Sequence, residues 1–286
     1  MDSVTSRISK IKQPRGGYIK PSEFDCIVLE DNRCLSETEN IHASLIGMAV
    51  DYLTRYLRGA SVEEAFRISL MGASRAEDLG VEDSLTIATY FAVSIKKSKR
   101  KLTDEAITCA CKLVSFDVWR RDPSRAISAR KHDEISPDSQ TINNIRIMVE
   151  RSISFFENYG PVVADGFSFL PEDIDDADKM DFFARCVSGK KAVCGGYTNT
   201  VMSGDGDFLT SDTMWDFKVS KTKPNNKHTL QLLMYWIMGL HSGREEYKEI
   251  QFLGIFNPRR NEVYLYDTIN IQKELIETIE KEVICY

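Results

Sequence analysis

Residues 203–235 read SGDGDFLTSDTMWDFKVSKTKPNNKHTLQLLMY, and this run carries both the strand alternation and the polar residues around which a fold can be built. Strand side chains point to opposite faces with period two. Over 213–219, Trp215, Phe217 and Val219 therefore share one face, and Met214, Asp216 and Lys218 the other. With the apolar face against a core, Asp216 and Lys218 project together into whatever lies opposite. Residues 204–209 read as a preceding strand, with Thr210, Ser211 and Asp212 as a tight polar turn. Such a hairpin brings Asp207 beside Asp216. After a polar, proline-containing loop over 220–227, the apolar run 229–240 is long enough for a helix. Its Gln231 and Tyr235 are four apart and share a face.

Two carboxylates, a lysine and a nearby helix are the parts that metal-assisted phosphodiester cleavage needs. Mg²⁺ is a hard cation that prefers oxygen and keeps several waters, so one or two carboxylates hold it against a substrate phosphate. It polarises the phosphoryl oxygen and lowers the pKa of a bound water. An ammonium two residues from a ligand stabilises developing negative charge or positions the attacking water. Histidine and cysteine are not needed. A lone Asp-x-Lys on a strand is more often a solvated face. The second aspartate on the paired strand and the Gln/Tyr helix lift this one above that reading.

The order G-x-x-D (Gly204 to Asp207), D-x-K (Asp216 to Lys218) and Q-x-x-x-Y (Gln231 to Tyr235) resembles the PD-(D/E)xK nuclease superfamily. Within it the chain is most similar to the RecB-like and λ-exonuclease-like branch, where the Gln/Tyr helix follows the catalytic hairpin. The resemblance implies an α/β fold (mixed α+β) with a restriction-endonuclease-like core, a central mixed β-sheet flanked by helices. It implies a Mg²⁺ or Mn²⁺ site held by Asp207 and Asp216, with Lys218 as the catalytic lysine and DNA as substrate. Gln231 and Tyr235 would support the site or contact DNA. Asp205 competes with Asp207, since both point the same way from a strand; the G-x-x-D frame and the following Phe208-Leu209 favour Asp207. The same branch carries an upstream helix with a glycine followed four residues later by a His or an acid near the metal. Residues 41–57 read as such a helix, with Gly47 and Asp51 at that spacing. Asp51 is the candidate third ligand, although pairing with Arg55 at i,i+4 accounts for it equally. No role is expected of His42, and Glu37 and Glu39 are expected to cap the helix or compensate its dipole.

A metal-dependent deoxyribonuclease is thus the expected activity, with exonuclease favoured over endonuclease because that branch commonly works from ends. Two alternatives stay open: a non-catalytic nucleic-acid binder that retains the fold, and a metal-dependent phosphoesterase on small substrates. There is no G-x-x-x-x-G-K-[ST] run, so unwinding would need a helicase or recombination partner. Relatives with iron–sulfur clusters carry one upstream cysteine and a close downstream trio. Here only Cys285 lies beyond the Gln/Tyr helix, and no C-x-x-C or Cys/His zinc spacing occurs. Neither a cluster nor zinc is expected. Cys109 and Cys111, in an apolar helical run, read as core.

The 286 residues are 42% hydrophobic and 28% charged, an ordinary globular composition. They are read as a single nuclease domain over 1–286, with a flexible arm over 1–20, a helical insertion over about 60–160 and the catalytic sheet with its flanking helices over about 190–286. No run approaches the ~20 apolar residues of a membrane span, and no signal-peptide h-region opens the chain. Cysteines without a disulfide framework fit a reducing compartment, and a cytoplasmic location is expected. The net charge of −6 is uneven: segment 91–131 carries eleven Lys and Arg against four acids. Lys96, Lys97, Lys99, Arg100, Lys101, Arg120 and Arg121 are the expected phosphate contacts, with a solvated helix face as the equal alternative. The acidic stretch 171–181 is expected to lie away from DNA. Ser61 and Glu64 form a capping box, and Thr103 caps a further helix. Residues 193–202 are expected to form the first strand of the core sheet, with later strands over 250–256 and 262–266. No surface in the sequence announces an oligomer.

Overall fold

The computed structural model describes residues 2–204 and 206–286, which group into two compact units. The sheet unit takes in residues 2–29, 159–257 and 262–286, and the helical unit residues 30–158 and 258–261. The helical part therefore begins at Glu30, earlier than about residue 60, and recruits a short segment from late in the chain.

The sheet unit is built on six strands, β1 (Asp25–Val28), β2 (Ala164–Phe167), β3 (Gly206–Leu209), β4 (Thr213–Phe217), β5 (Phe252–Asn257) and β6 (Glu262–Asp267). They lie side by side in the order β1-β6-β5-β4-β3-β2. Only β4 and β5 run parallel; every other neighbouring pair is antiparallel. The parallel pair needs a crossover, because a short turn cannot reverse the chain twice. The helix of Asn226–Ser242 supplies it.

Helices of seven residues or more are numbered α1 (Val4–Lys10), α2 (Ala43–Leu57), α3 (Arg67–Asp78), α4 (Ser84–Lys97), α5 (Asp104–Leu113), α6 (Ser139–Tyr159), α7 (Asp176–Val187) and α8 (Asn226–Ser242). The Asn225 side chain caps α8, accepting from the backbone N–H groups of Lys227 and His228. Apolar residues run around most of its circumference, so it is buried on nearly all sides rather than along one stripe. Leu209, Met214, Leu253, Ile255 and Tyr264 share the sheet face that packs with Leu230, Leu233, Met234 and Ile237 of α8. On the other face Phe208 stacks on Trp215 with ring centroids 6.0 Å apart. Phe217 meets Phe256 edge-on there.

Two expectations for this unit are corrected. Residues 2–20 are not a loose arm: Ser3 caps α1, and Val4, Ile8 and Ile19 are buried in the same core as α8. Val4 and Ile8 are one helical turn apart, and that short period was hidden among polar neighbours. Arg7 ties the segment down by donating from Nε to the Val283 carbonyl at 2.7 Å. Residues 193–202 do not form the first strand of the sheet. Val193–Cys194 pairs with Tyr197–Thr198 in a hairpin that turns at Gly195 and Gly196, and Val201–Ser203 pairs with Asp2–Ser3. The strand beside β3 is β2 instead.

In the helical unit the caps fall where the sequence places them. Ser61 accepts from Glu64 N–H while Glu64 accepts from Ser61 N–H, and Thr103 accepts from Ala106 N–H. The chain continues past Phe66 as α3, where Gly72 lets the Phe116 carbonyl approach: a Cβ there would stand 2.0 Å from that oxygen. Cys109 and Cys111 are buried on α5. The Asp117 carboxylate is buried too, accepting from Tyr52 Oη at 2.6 Å and Ser69 Oγ at 2.5 Å. Burial pushes its pKa up against those hydrogen bonds. Glu39 does not cap α2. It is buried in an ion pair with Arg259 at 2.8 Å and also accepts from Asn144. The N-cap is His42, whose Nδ1 accepts from Ser44 N–H. Among the described residues, no helix is long and apolar enough to cross a membrane.

Candidate active site

The β3–β4 hairpin pairs Phe208 with Trp215 and Leu209 with Met214 across a turn closed by Thr210 N–H on the Thr213 carbonyl. One step further along that register, Asp207 stands opposite Asp216. Directly opposed residues share a face, so both carboxylates lie on the α8 side of the sheet with Leu209 and Met214.

Asp216 is more deeply placed than an acid on a half-covered strand, only 3% exposed. Lys218, two residues on, reaches its Oδ1 with Nζ at 2.8 Å. The second oxygen, Oδ2, is buried and has no hydrogen-bond partner among the described residues. A carboxylate oxygen held that way costs free energy unless something else meets it. Asp207 uses Oδ2 to accept the Phe217 N–H at 2.6 Å. This side chain replaces a main-chain partner near the end of the β3–β4 ladder.

Lys218 itself is positioned by the neighbouring parallel strand. Its N–H donates to the Phe256 carbonyl at 2.9 Å. The Asn257 side chain then grips Ser220 from both sides, Nδ2 donating to its carbonyl at 2.8 Å and Oδ1 accepting from its N–H at 3.4 Å. Asn257 is buried, and it extends the ladder past the point where β4 leaves the sheet. Only the parallel register, which the sequence does not contain, identifies it.

On α8, Gln231 Nε2 donates to Tyr235 Oη at 3.0 Å, so the expected pair is linked along one helix face. The Tyr235 ring is buried against Phe169, with centroids 5.3 Å apart. It also lies over the start of the acid-bearing segment. A Cβ on Gly204 would stand 3.2 Å from Tyr235 Cε1 and 2.7 Å from Val4 Cγ2. The glycine of the G-x-x-D run is therefore a close-approach residue.

His228, three residues before Gln231 on the same face, was not anticipated. Its Nδ1 accepts from Asn225 N–H, completing a capping box that is made by an imidazole. Burial, and then the charge of nearby Lys218, hold its pKa at about 4. It is neutral at physiological pH. The i−3 spacing from Gln231 was the only signal for it in the sequence.

Asp51 lies on α2 in the helical unit, where Arg55 Nε meets its Oδ1 at 2.9 Å. The expected basic residues also belong to that unit, and three of the seven are engaged. Arg100 caps the end of α2, donating to the carbonyls of Tyr56 and Gly59. Lys96 pairs with Glu63 and Arg121 with Asp117. Lys97, Lys99, Lys101 and Arg120 are exposed. Asp205 lies outside the described residues.

The donors around Asp216 are oxygens, as a hard divalent cation prefers. The buried, unmatched Oδ2 is the kind of atom such an ion would satisfy. Among the described residues there is no group of three or more His, Cys, Asp or Glu side chains placed to hold a metal. Asp207 and Asp216 are the two carboxylates that the hairpin register sets opposite one another. No protein-family model, curated protein or solved structure matches the chain.

Proposed function

We propose that the protein is a Mg²⁺- or Mn²⁺-dependent nuclease that hydrolyses DNA phosphodiester bonds, working from ends as an exonuclease. The reading rests on the resemblance of the hairpin and its helix to PD-(D/E)xK nucleases of the RecB-like and λ-exonuclease-like branch. It takes the mixed sheet as a restriction-endonuclease-like core. One observation carries it: Asp216 faces Asp207 across a hairpin, with a lysine on one carboxylate oxygen and, among the described residues, no partner on the other.

Asp207 and Asp216 would hold the ion, which supplies charge neutralisation at the scissile phosphate and a more acidic water. The residues of the chain do the rest. Lys218, held to Asp216 and fixed at its backbone by β5, offers a positive charge where negative charge develops on the phosphate oxygens. Neutral His228 adds no competing proton donor charge beside it. Gln231 and Tyr235, linked along one face of α8, would support the site or contact DNA.

A non-catalytic DNA binder is the second reading. It is favoured by Asp207 accepting a backbone N–H and by Asp216 pairing with Lys218. End-labelled linear and covalently closed circular DNA, incubated with and without Mn²⁺, separates the two. Loss of linear substrate alone, abolished in Lys218→Ala, is the expected result. Cutting of closed circles overturns the exonuclease assignment, and inertness of a folded protein towards both substrates favours the binder.

A further inference from the structure

Within the helical unit, a cavity of about 540 Å³ opens between the start of α2 and the 114–130 segment. That volume falls inside the range of ~300–1,000 Å³ usual for small-molecule sites. Its lining includes Ile41, Leu45, Met48, Val114 and Val118, with Arg130 at the rim.

Most polar groups of the lining, the Nε2 of His42 apart, are already committed to one another or to the backbone. Ser44 Oγ meets His42 Nδ1 at 2.7 Å, and Ser115 Oγ donates to the Lys112 carbonyl at 2.6 Å. Asn40 donates to the Ser136 carbonyl and accepts from Asp138 N–H and Thr141 Oγ1. Glu39 is spent on Arg259 and Asn144. Little is left to read the hydrogen-bonding edge of a heterocycle, so the body of a ligand here has to be hydrocarbon-like. Of the charged residues in the lining, Glu39 is neutralised by Arg259. Arg121 and Arg125 pair with Asp117 and Asp122, whereas Arg130 makes no ion pair among the described residues. The first turn of the fifteen-residue α2 also carries no acid to offset its positive end. A guanidinium binds a carboxylate through two parallel N–H bonds. With one such cation available, the complementary anion is a monoanion.

We infer that this cavity binds a small amphiphilic monoanion, an aliphatic carboxylate of medium chain length, with its tail on the apolar floor and its carboxylate at Arg130. The site is independent of the nuclease reading and stands or falls without it.

Isothermal titration of the full-length protein with decanoate, below its micelle concentration, tests the assignment. Decylammonium and adenosine 5′-monophosphate serve as probes of charge and of ligand body. One-to-one binding of decanoate is expected, at least tenfold tighter than decylammonium. Arg130→Gln should weaken decanoate at least fivefold and leave decylammonium unchanged. Met48→Trp, which fills the cavity, should abolish decanoate binding; Val118→Phe serves the same purpose if the first variant melts early. The assignment is overturned by equal binding of both amphiphiles, or by decanoate binding that persists in the filled variants. Tighter binding of the nucleotide, or no binding up to millimolar decanoate, overturns it as well.

Discussion

Asp216 and His228 are the two side chains near Lys218 whose surroundings bear most directly on the proposed chemistry. In Asp216 one carboxylate oxygen is paired and the other is buried without a partner among the described residues. Added Mn²⁺ should therefore raise the thermal midpoint of the wild-type protein and leave Asp216→Ala unmoved. A midpoint that rises equally in both would remove the metal from this site. In Asp216→Asn, turnover of linear DNA should fall by at least about 10²-fold, the scale on which removing one charge-stabilising group acts. For His228 the sign follows from linkage. Its folded pKa of about 4 lies below the ordinary 6.5, so the unfolded chain takes up the proton first. Its stabilising contribution is complete above about pH 6.5 and is lost as pH falls towards 4. His228→Gln, which keeps a side chain able to close the capping box, should flatten that decline. Urea midpoints measured at pH 7, 5.5 and 4.5 check it. Strand alternation made Asp216 and Lys218 legible as a pair. Asn257 and His228 were not legible, because a register and a burial are properties of contacts far apart in the chain.

Helix ends are the elements most directly written in the chain. Ser61 with Glu64 and Thr103 form the caps expected of them, since capping is a contact between residues three apart. The same logic applies to α8, which carries Gln231 and Tyr235. Asn225→Ala removes the acceptor of two backbone N–H groups and should cost about 1 kcal/mol by urea unfolding. If that cap also sets the position of the Gln/Tyr face, nuclease turnover falls with it; unchanged stability would show that the tertiary packing of α8 needs no cap. On α3, Gly72→Ala illustrates the opposite case. Alanine favours a helix by about 1 kcal/mol over glycine, yet the Phe116 carbonyl leaves a methyl no room. Net destabilisation of roughly 1–3 kcal/mol is expected, as for other overpacked sites. Local propensity predicts the wrong sign here, and packing decides it. Residues 193–202 fail for a related reason: a run of suitable length broke into two short pairings at its glycines.

At the scale of the whole molecule, charge and chain path matter most. The net charge of −6 opposes DNA, and three of the seven basic residues expected to bind it are spent on internal partners. If Lys97, Lys99, Lys101 and Arg120 make the phosphate contacts, log K against log salt should have a slope of about −3 to −4 on duplex DNA. Each alanine replacement should reduce it by about one. A slope near −6 would mean that the engaged cations let go of their partners on binding. The helical unit is discontinuous, because Arg259 returns to it to neutralise Glu39. Arg259→Ala leaves that acid buried and should cost about 3–5 kcal/mol, read from the unfolding transition.

The sequence by itself determined the hairpin, the shared face of Asp216 and Lys218, the Gln/Tyr pairing on one helix and the main helix caps. All of these are set by contacts within a few residues, where backbone geometry leaves few choices. Tertiary structure alone decided that α8 packs on the face that carries Asp216, and that Val4, Ile8 and Ile19 join that core. It also decided that Asn257 and His228 flank Lys218 and that Glu39 meets Arg259. Each of those depends on which surfaces exclude water together, and that is settled only when distant segments pack.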